Sequence, residues 1–373
     1  MSQENLFNGI FKDKIVLLTG HTGFQGSWLA LWLKLLGAKV IGYAFEPPTN
    51  PSLFETLELK NDLVDIVADI RDKKKISDSL NKYQPEFVFH LAAQALVRPS
   101  YEKPSETFET NIMGTVNVLE SVRHCKSVKS CLIITSDKCY ENRIQTKPHK
   151  EDDPMGGFDP YSSSKGAAEL VTKAYRNSFF SNNVRDQTEI ATIRAGNVLG
   201  GGDWAKDRIV PDIIRSIEQN EKIHLRNPNF FRPWQYVLEP LSGILWLAAK
   251  MYQTPKKFSE AWNFGPRLDK KFLTVREITN IIIEKWGSSL SLEVKENSNN
   301  VYESESLIID SSKSKKYLDW ENTYTIDEAL TETVLWYKKF KNDKSNMKKF
   351  STTQIENYIL RAHEKNLIWA NGE

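Results

Sequence analysis

Three cysteines in 373 residues leave no basis for a covalent framework. Three is an odd number for disulfides, and Cys125, Cys131 and Cys139 lack the paired spacing of a metal site. Neither a disulfide scaffold nor a bound metal is expected, and the count suits a reducing, cytoplasmic compartment. An excess of one charge sign is also missing. The 50 Lys+Arg against 48 Asp+Glu leave a formal +2, which gives no footprint for nucleic acid. Lys338, Lys339, Lys341, Lys344, Lys348 and Lys349 form the one basic cluster, read as a solvated helix end or linker. Long apolar runs are absent too. The most apolar helix, Trp28 to Leu36, is short and carries Lys34, and the N-terminus is polar, so neither a membrane span nor a signal peptide is expected. No internal repeat or low-complexity tract is found.

What is present centres on Gly20-His21-Thr22-Gly23-Phe24-Gln25-Gly26, which follows the apolar run Ile15-Val16-Leu17-Leu18 and opens into a helix from Ser27. A strand that stops at glycine, with a helix starting where the glycines end, is suited to a pyrophosphate. The turn is tight, backbone comes close to the phosphates, and the helix's free amides and positive dipole end face the anion. All seven residues are candidate cofactor contacts. Gly37 marks a helix end, and Lys39 to Tyr43 completes a β-α-β unit. Glu46 is a loose candidate for the adenosine ribose. No Lys or Arg lies between Val40 and Leu59, so nothing local would neutralise a 2′-phosphate, and NAD is expected over NADP.

Further strands are read at Leu63 to Ala68, Phe87 to His90 and Cys131 to Ile134. Each ends where open parallel sheets bind ligands. Asp69, with Ile70 beside it, is read as a cofactor contact, an acidic helix cap being the alternative. Ala92, Ala93 and Gln94 would let the cofactor pass close to backbone, while His90 is read as a satisfied core residue. Asn111 lies on a helix expected from about Pro104 to His124. Asp159 and Pro160 then start a helix on which Tyr161 and Lys165 share a face. An ammonium near a phenol stabilises the phenolate. A downward shift of about three units needs roughly 4 kcal/mol, which Lys165 and a nicotinamide cation are expected to supply jointly. The product is a general base for a hydroxyl.

The turn Gly20 to Gly26, Ser136, the Tyr161/Lys165 pair and Arg194-Ala195-Gly196-Asn197 together resemble the extended short-chain dehydrogenase/reductases that act on nucleotide sugars. Within that family, Gly20 to Trp28, Thr135 to Tyr140, Pro154 to Tyr161, Arg194 to Trp204 and Arg232-Pro233-Trp234-Gln235 resemble the 4,6-dehydratases of CDP-glucose. The resemblance runs from about residue 10 to past residue 340. It implies an α/β chain: a Rossmann-type doubly wound parallel sheet with a smaller α/β substrate-binding domain. The boundaries expected are 10–196 and 234–262 for the NAD-binding domain, 197–233 and 263–345 for the nucleotide-sugar domain, and 346–373 for a helical extension. The segment Ala261 to Pro266 is read as the return to the second lobe.

The resemblance also implies an internal redox cycle on CDP-glucose. Tyr161, with Ser136 and Lys165, takes the 4-hydroxyl proton while C4 gives its hydride to NAD; water leaves across C5 and C6, and the hydride returns at C6. Asp137 carries over as the acid. In related dTDP-glucose dehydratases a Glu follows that Asp as base, but here Lys138 stands in its place, so Lys138 is assigned the C5 proton. Asn197 and Arg232 match positions at the substrate diphosphate, and Arg208 is a further substrate candidate. Trp204 or Trp234 is open to two roles, stacking on cytosine or packing. The family further implies a homodimer or dimer of dimers through the helices near 104–124 and 160–178.

Overall fold

The computed structural model describes residues 3–141, 147–180, 188–268, 272–294 and 307–372. Strands β1 (Ile15–Thr19), β2 (Lys39–Ala44), β3 (Val64–Val67), β4 (Phe87–His90), β5 (Ser130–Ile134) and β6 (Glu189–Arg194) alternate with helices. Valine, isoleucine, leucine and phenylalanine fill β1 and β4, which are covered on both faces, so they read as continuous apolar runs instead of alternating ones. The sheet is parallel throughout, in the order β10-β6-β5-β4-β1-β2-β3, with β10 at Ala261–Asn263. Strand order reverses between β1 and β4, and open sheets bind ligands beyond the strand ends at such a point.

The sequence treats Ala261 to Pro266 as a passage between lobes. In the structure Trp262 pairs with Ile193 in the main sheet, and the passage starts only after Asn263. A three-residue strand buried at the sheet edge carries too little pattern to be seen alone.

Between and beyond these strands lie two small parallel pairs. β7 (Val198–Leu199) joins β9 (Gln235–Tyr236), and β8 (Ile223–Leu225) joins β11 (Leu292–Val294). Helices Ile209–Gln219, Val275–Trp286 and Ile326–Asn342 accompany them, the last two opened by reciprocal capping boxes, Thr274 with Glu277 and Thr325 with Glu328. Helix Leu238–Gln253 returns to the main sheet and is almost wholly buried.

The helix expected from Pro104 to His124 is interrupted by a π turn at Glu109–Met113, and the helix from Pro160 likewise becomes a π turn at Arg176–Phe180. A π turn displaces the residues after it around the axis. Here it holds Asn111 inward, buried, beneath the strand ends.

The C-terminal helix Met347–Glu364 and the short turn of helix after it dock on the first lobe, at a place no sequence pattern indicates. Trp369 stacks on Phe7 at 5.3 Å, and the Tyr358 hydroxyl donates to Glu239 at 2.9 Å. Glu239 also accepts from the Thr323 and Tyr324 amides, and burial pushes its carboxyl up to about 7. The basic cluster is partly paired: Lys339 with Asp343 at 2.7 Å, Lys348 with Asp62.

Candidate active site

The glycine turn is built from steric necessity. Gly20 has φ +76°, and a Cβ there would lie 2.7 Å from the Ala92 amide nitrogen. At Gly26 a Cβ would lie 2.1 Å from the Gly20 carbonyl oxygen, so turn and helix close only with hydrogen at both positions. Helix Phe24–Leu35 starts at Gly23, which supplies no side-chain cap, so its first amides remain available to an anion. Thr22 ties the turn to the end of β2 by donating to the Phe45 carbonyl at 3.0 Å. His21, unexplained by the sequence, lies buried within the fold. Its Nε2 is 2.9 Å from Asp65, and its ring meets Phe54 edge-on, so it packs the turn onto β2 and β3. Burial pushes the imidazole down despite that carboxylate.

Small residues follow β4. Ala92 donates to the Thr19 hydroxyl at 3.1 Å, while the Gln94 side chain is spent internally, on Leu96 and Thr107. His90 bridges Thr19 and Thr115, a satisfied core histidine whose imidazole burial holds at about 3. Asn111 donates to Ser164 at 2.8 Å and accepts from the Gln94 amide at 2.8 Å, which links the loop after β4 to the helix bearing Tyr161. Ile70 packs against Gly114. Asp69 is engaged by its own neighbour, with Arg71 Nη2 at 2.7 Å and the Arg71 amide at 2.8 Å.

Helix Pro160–Tyr175 begins as its sequence prescribes: the Asp159 carboxylate accepts from the Ser162 amide at 2.9 Å, and Pro160 needs no partner. The Tyr161 amide donates to Ser100 Oγ at 3.1 Å. Inside, the Tyr161 phenol meets the Ser136 hydroxyl. Ser136 in turn donates to Asp137 Oδ1 at 2.9 Å, and Asn197 Nδ2 donates to the other oxygen at 3.1 Å. Asp137 is 2 % exposed, and burial pushes its carboxyl above the usual range against the pull of Lys138, Ser136 and Arg232. A carboxyl shifted in that direction is the better suited to serve as an acid.

The sequence reading has the phenol drawn down by Lys165 and a bound nicotinamide cation together; in the protein without that cation, burial pushes Tyr161 up to about 12. The Lys165 ammonium donates to the Ile134 carbonyl at 3.2 Å, and burial lowers it to about 8. Desolvation disfavours both charged forms, the phenolate and the ammonium alike.

A sequence model of the GDP-mannose 4,6 dehydratase family matches residues 17–333. The chain belongs to this family. It is 48 % identical over 340 residues to a CDP-glucose 4,6-dehydratase of Salmonella typhimurium, covering 91 % of this chain and 93 % of that one. A dTDP-glucose 4,6-dehydratase of Xanthomonas campestris is 24 % identical over 336 residues, covering 86 % and 92 %. In fold, the chain is similar to a dTDP-glucose 4,6-dehydratase from Bacillus anthracis in complex with NAD, with TM-score 0.73, 22 % identity and 88 % and 98 % coverage. It is similarly close to a UDP-glucose 4-epimerase from Thermotoga maritima with UDP-glucose, TM-score 0.74, 22 % identity, 88 % and 99 % coverage.

Around this centre the structure sorts the remaining candidates. Arg208 pairs with Asp203 at 2.9 Å, and its charge reaches the Tyr161 phenol. Arg232 lies over the Phe230 ring at 5.3 Å, within electrostatic reach of Asp137. Lys138 is half-buried, its amide on Ser136 Oγ at 3.2 Å. Trp204 is only 8 % exposed and packs on Trp336, Tyr337 and Phe340 in the core. Trp234 donates to the Leu273 carbonyl at 3.2 Å. Ser100, Asp203 and Glu169 were missed by sequence reasoning. Ser100 and Glu169 act through contacts with distant segments that no local spacing announces, whereas Asp203 pairs with Arg208 five residues on. Among the described residues no cluster of ligating side chains could hold a metal ion, and no helix is long and apolar enough to cross a membrane.

Proposed function

We propose that this chain is a CDP-glucose 4,6-dehydratase that converts CDP-D-glucose to CDP-4-dehydro-6-deoxy-D-glucose and water. The observation that carries the reading is the buried Asp137, bonded by Ser136 and Asn197 beside the Tyr161 hydroxyl. A 4-epimerase needs the phenol but has no use for an acid there. The cytidine nucleotide rests on the 48 % identical relative.

NAD fits the residues present: a glycine turn with uncapped helix amides, alanines after β4, and no Lys or Arg from Val40 to Leu59 to receive a 2′-phosphate. Bound there, it would accept the C4 hydride and return it at C6. Tyr161 accepts the proton of the 4-hydroxyl, positioned by Ser136 with Lys165 as the nearby cation. The ketone left at C4 makes the C5 proton acidic. Lys138 removes it, Asp137 protonates the departing 6-hydroxyl, and water leaves across C5–C6. Lys138 returns its proton to C5, and the proton taken by Tyr161 passes through the Ser136 hydroxyl, which touches both groups, to Asp137, so that all three side chains end the cycle as they began it. Arg208, Arg232 and Asn197 hold the diphosphate, since a guanidinium matches two phosphate oxygens at once.

On this reading residues 10–196 and 234–262 bind the cofactor, 197–233 and 263–345 bind the sugar nucleotide, and 346–373 brace the two. The enzyme is cytoplasmic, works as a homodimer or dimer of dimers through the helices near 104–124 and 160–178, and supplies deoxysugars for surface polysaccharide such as O-antigen. Incubation with CDP-glucose without added reductant is expected to give a 4-keto sugar, detected by its alkali-induced absorbance. A 4-epimer, or a strict requirement for NADPH, overturns the reading. A lysine base needs a lowered pKa, so Lys138 is tested separately. Lys138→Ala is expected to slow both turnover and C5 solvent exchange by about 10²-fold; wild-type exchange would return the C5 proton to another group.

A further inference from the structure

Glu169 lies one helical turn beyond Lys165 and takes no part in the proposed proton transfers. It is 4 % exposed, and it is fully engaged. Thr135 Oγ1 donates to it at 2.5 Å, Thr192 Oγ1 at 2.7 Å and Arg194 Nη2 at 2.8 Å. Burial pushes its carboxyl up, but Arg194 and the two hydroxyls prevail and hold it below the usual carboxylate value. Its partners have telling neighbours. Thr135 directly precedes Ser136 and Asp137 at the end of β5. Arg194 ends β6, two residues before Gly196 and Asn197. Arg194 also donates to the Tyr140 hydroxyl and the Glu151 carbonyl, both at 2.8 Å, and Tyr140 donates to Asn263 at 2.7 Å.

From this connectivity we propose that Glu169 is a positioning residue for the reaction: it fastens the helix carrying Tyr161 and Lys165 to the two strand ends that carry Ser136–Asp137 and Gly196–Asn197. The inference rests on the reading of Tyr161 and Asp137 as base and acid. A single buried carboxylate holding both sides sets the distance from phenol to sugar hydroxyl and from Asp137 to the departing oxygen. Buried ion pairs are poor sources of stability, because desolvation cancels most of the attraction. Two neutral side chains of similar volume would fill the same space, so a packing role alone does not call for this pair. Small displacements at a reacting centre are expensive, however: about 1 Å costs on the order of 10²-fold in rate.

The test uses the full-length protein with its cofactor. Glu169→Gln removes the charge but strands a buried arginine, so Glu169→Gln with Arg194→Met is measured beside it. Both are expected to lower kcat on CDP-glucose by about 10²-fold with KM within about threefold, and Glu169→Asp to recover part of the loss. The ionisation of Tyr161 supplies a second readout that needs no substrate. Ser136, Asp137, Arg208 and Asp159 act on that phenol, and Lys165 follows it one turn on along the same helix. Its tyrosinate absorbance, by difference against Tyr161→Phe, is expected to appear at higher pH in the double variant than in wild type. Wild-type kcat in the double variant, or an unmoved tyrosinate titration, overturns the proposal. If wild type makes no product from CDP-glucose, the activity reading fails alone, and the tyrosinate titration still decides the role of Glu169.

Discussion

Replacing Tyr161 by Phe is expected to lower turnover of CDP-glucose by about 10³-fold or more while the protein keeps its fold and its cofactor, because a positioned general base is worth roughly 10² to 10⁴. The ring itself stays: it is 8 % exposed, and its backbone amide, bonded to Ser100, is untouched by the change. Only the hydroxyl beside Ser136 is lost. The neutral phenol titrates high, near 12, because burial disfavours the anion. Proton transfer at neutral pH therefore needs positive charge close to the oxygen when the substrate is bound, from Lys165, Arg208 and the oxidised nicotinamide ring together. The NAD content of the purified variant and its steady-state turnover measure the two halves of the prediction. Loss of NAD in step with loss of turnover would make Tyr161 a binding residue instead.

Gly196→Ala carries the second large effect. A Cβ at this position would lie 1.8 Å from the Asp137 Oδ2 and 2.0 Å from its carboxyl carbon, distances at which one of them must move. The carboxyl has nowhere easy to go. It is buried, and Ser136 and Asn197 hold one oxygen each. Overpacking of this kind costs about 1 to 3 kcal/mol of stability, read as a lower urea midpoint. Displacing the acid from the 6-hydroxyl should cost turnover by about 10²-fold or more. Tyr161 is untouched, so oxidation at C4 is expected to continue. On mixing with CDP-glucose the variant should therefore build up the absorbance of reduced nicotinamide where wild type does not. Wild-type turnover in Gly196→Ala would show that Asp137 does not serve as the acid from its place in the structure.

Much of the site is legible residue by residue. The glycine turn, the Asp159-Pro160 start and the Tyr161/Lys165 spacing are local patterns, and each forms the element its chemistry predicts. The phenol's acidity was not legible, because it depends on how completely the surrounding segments exclude water. His21 was equally opaque. Its partner Asp65 lies two strands away, and only the order of β1, β2 and β3 brings the carboxylate to the ring. Trp204 shows the reverse case: an aromatic beside a glycine run suggests a stacking surface, but helix Ile326–Asn342 covers it.

By itself, then, the sequence determined the elements and the chemical types: a glycine turn between strand and helix, a phenol and an ammonium on one helix face, and a carboxyl at a strand end, because these rest on short-range spacing and intrinsic side-chain chemistry. The tertiary structure alone decided which way burial shifts each group and what aims it. Glu169, Thr135, Thr192 and Arg194 come from one helix and two strands that meet only when the sheet is assembled. Burial at that meeting point sets whether a proton is held or released.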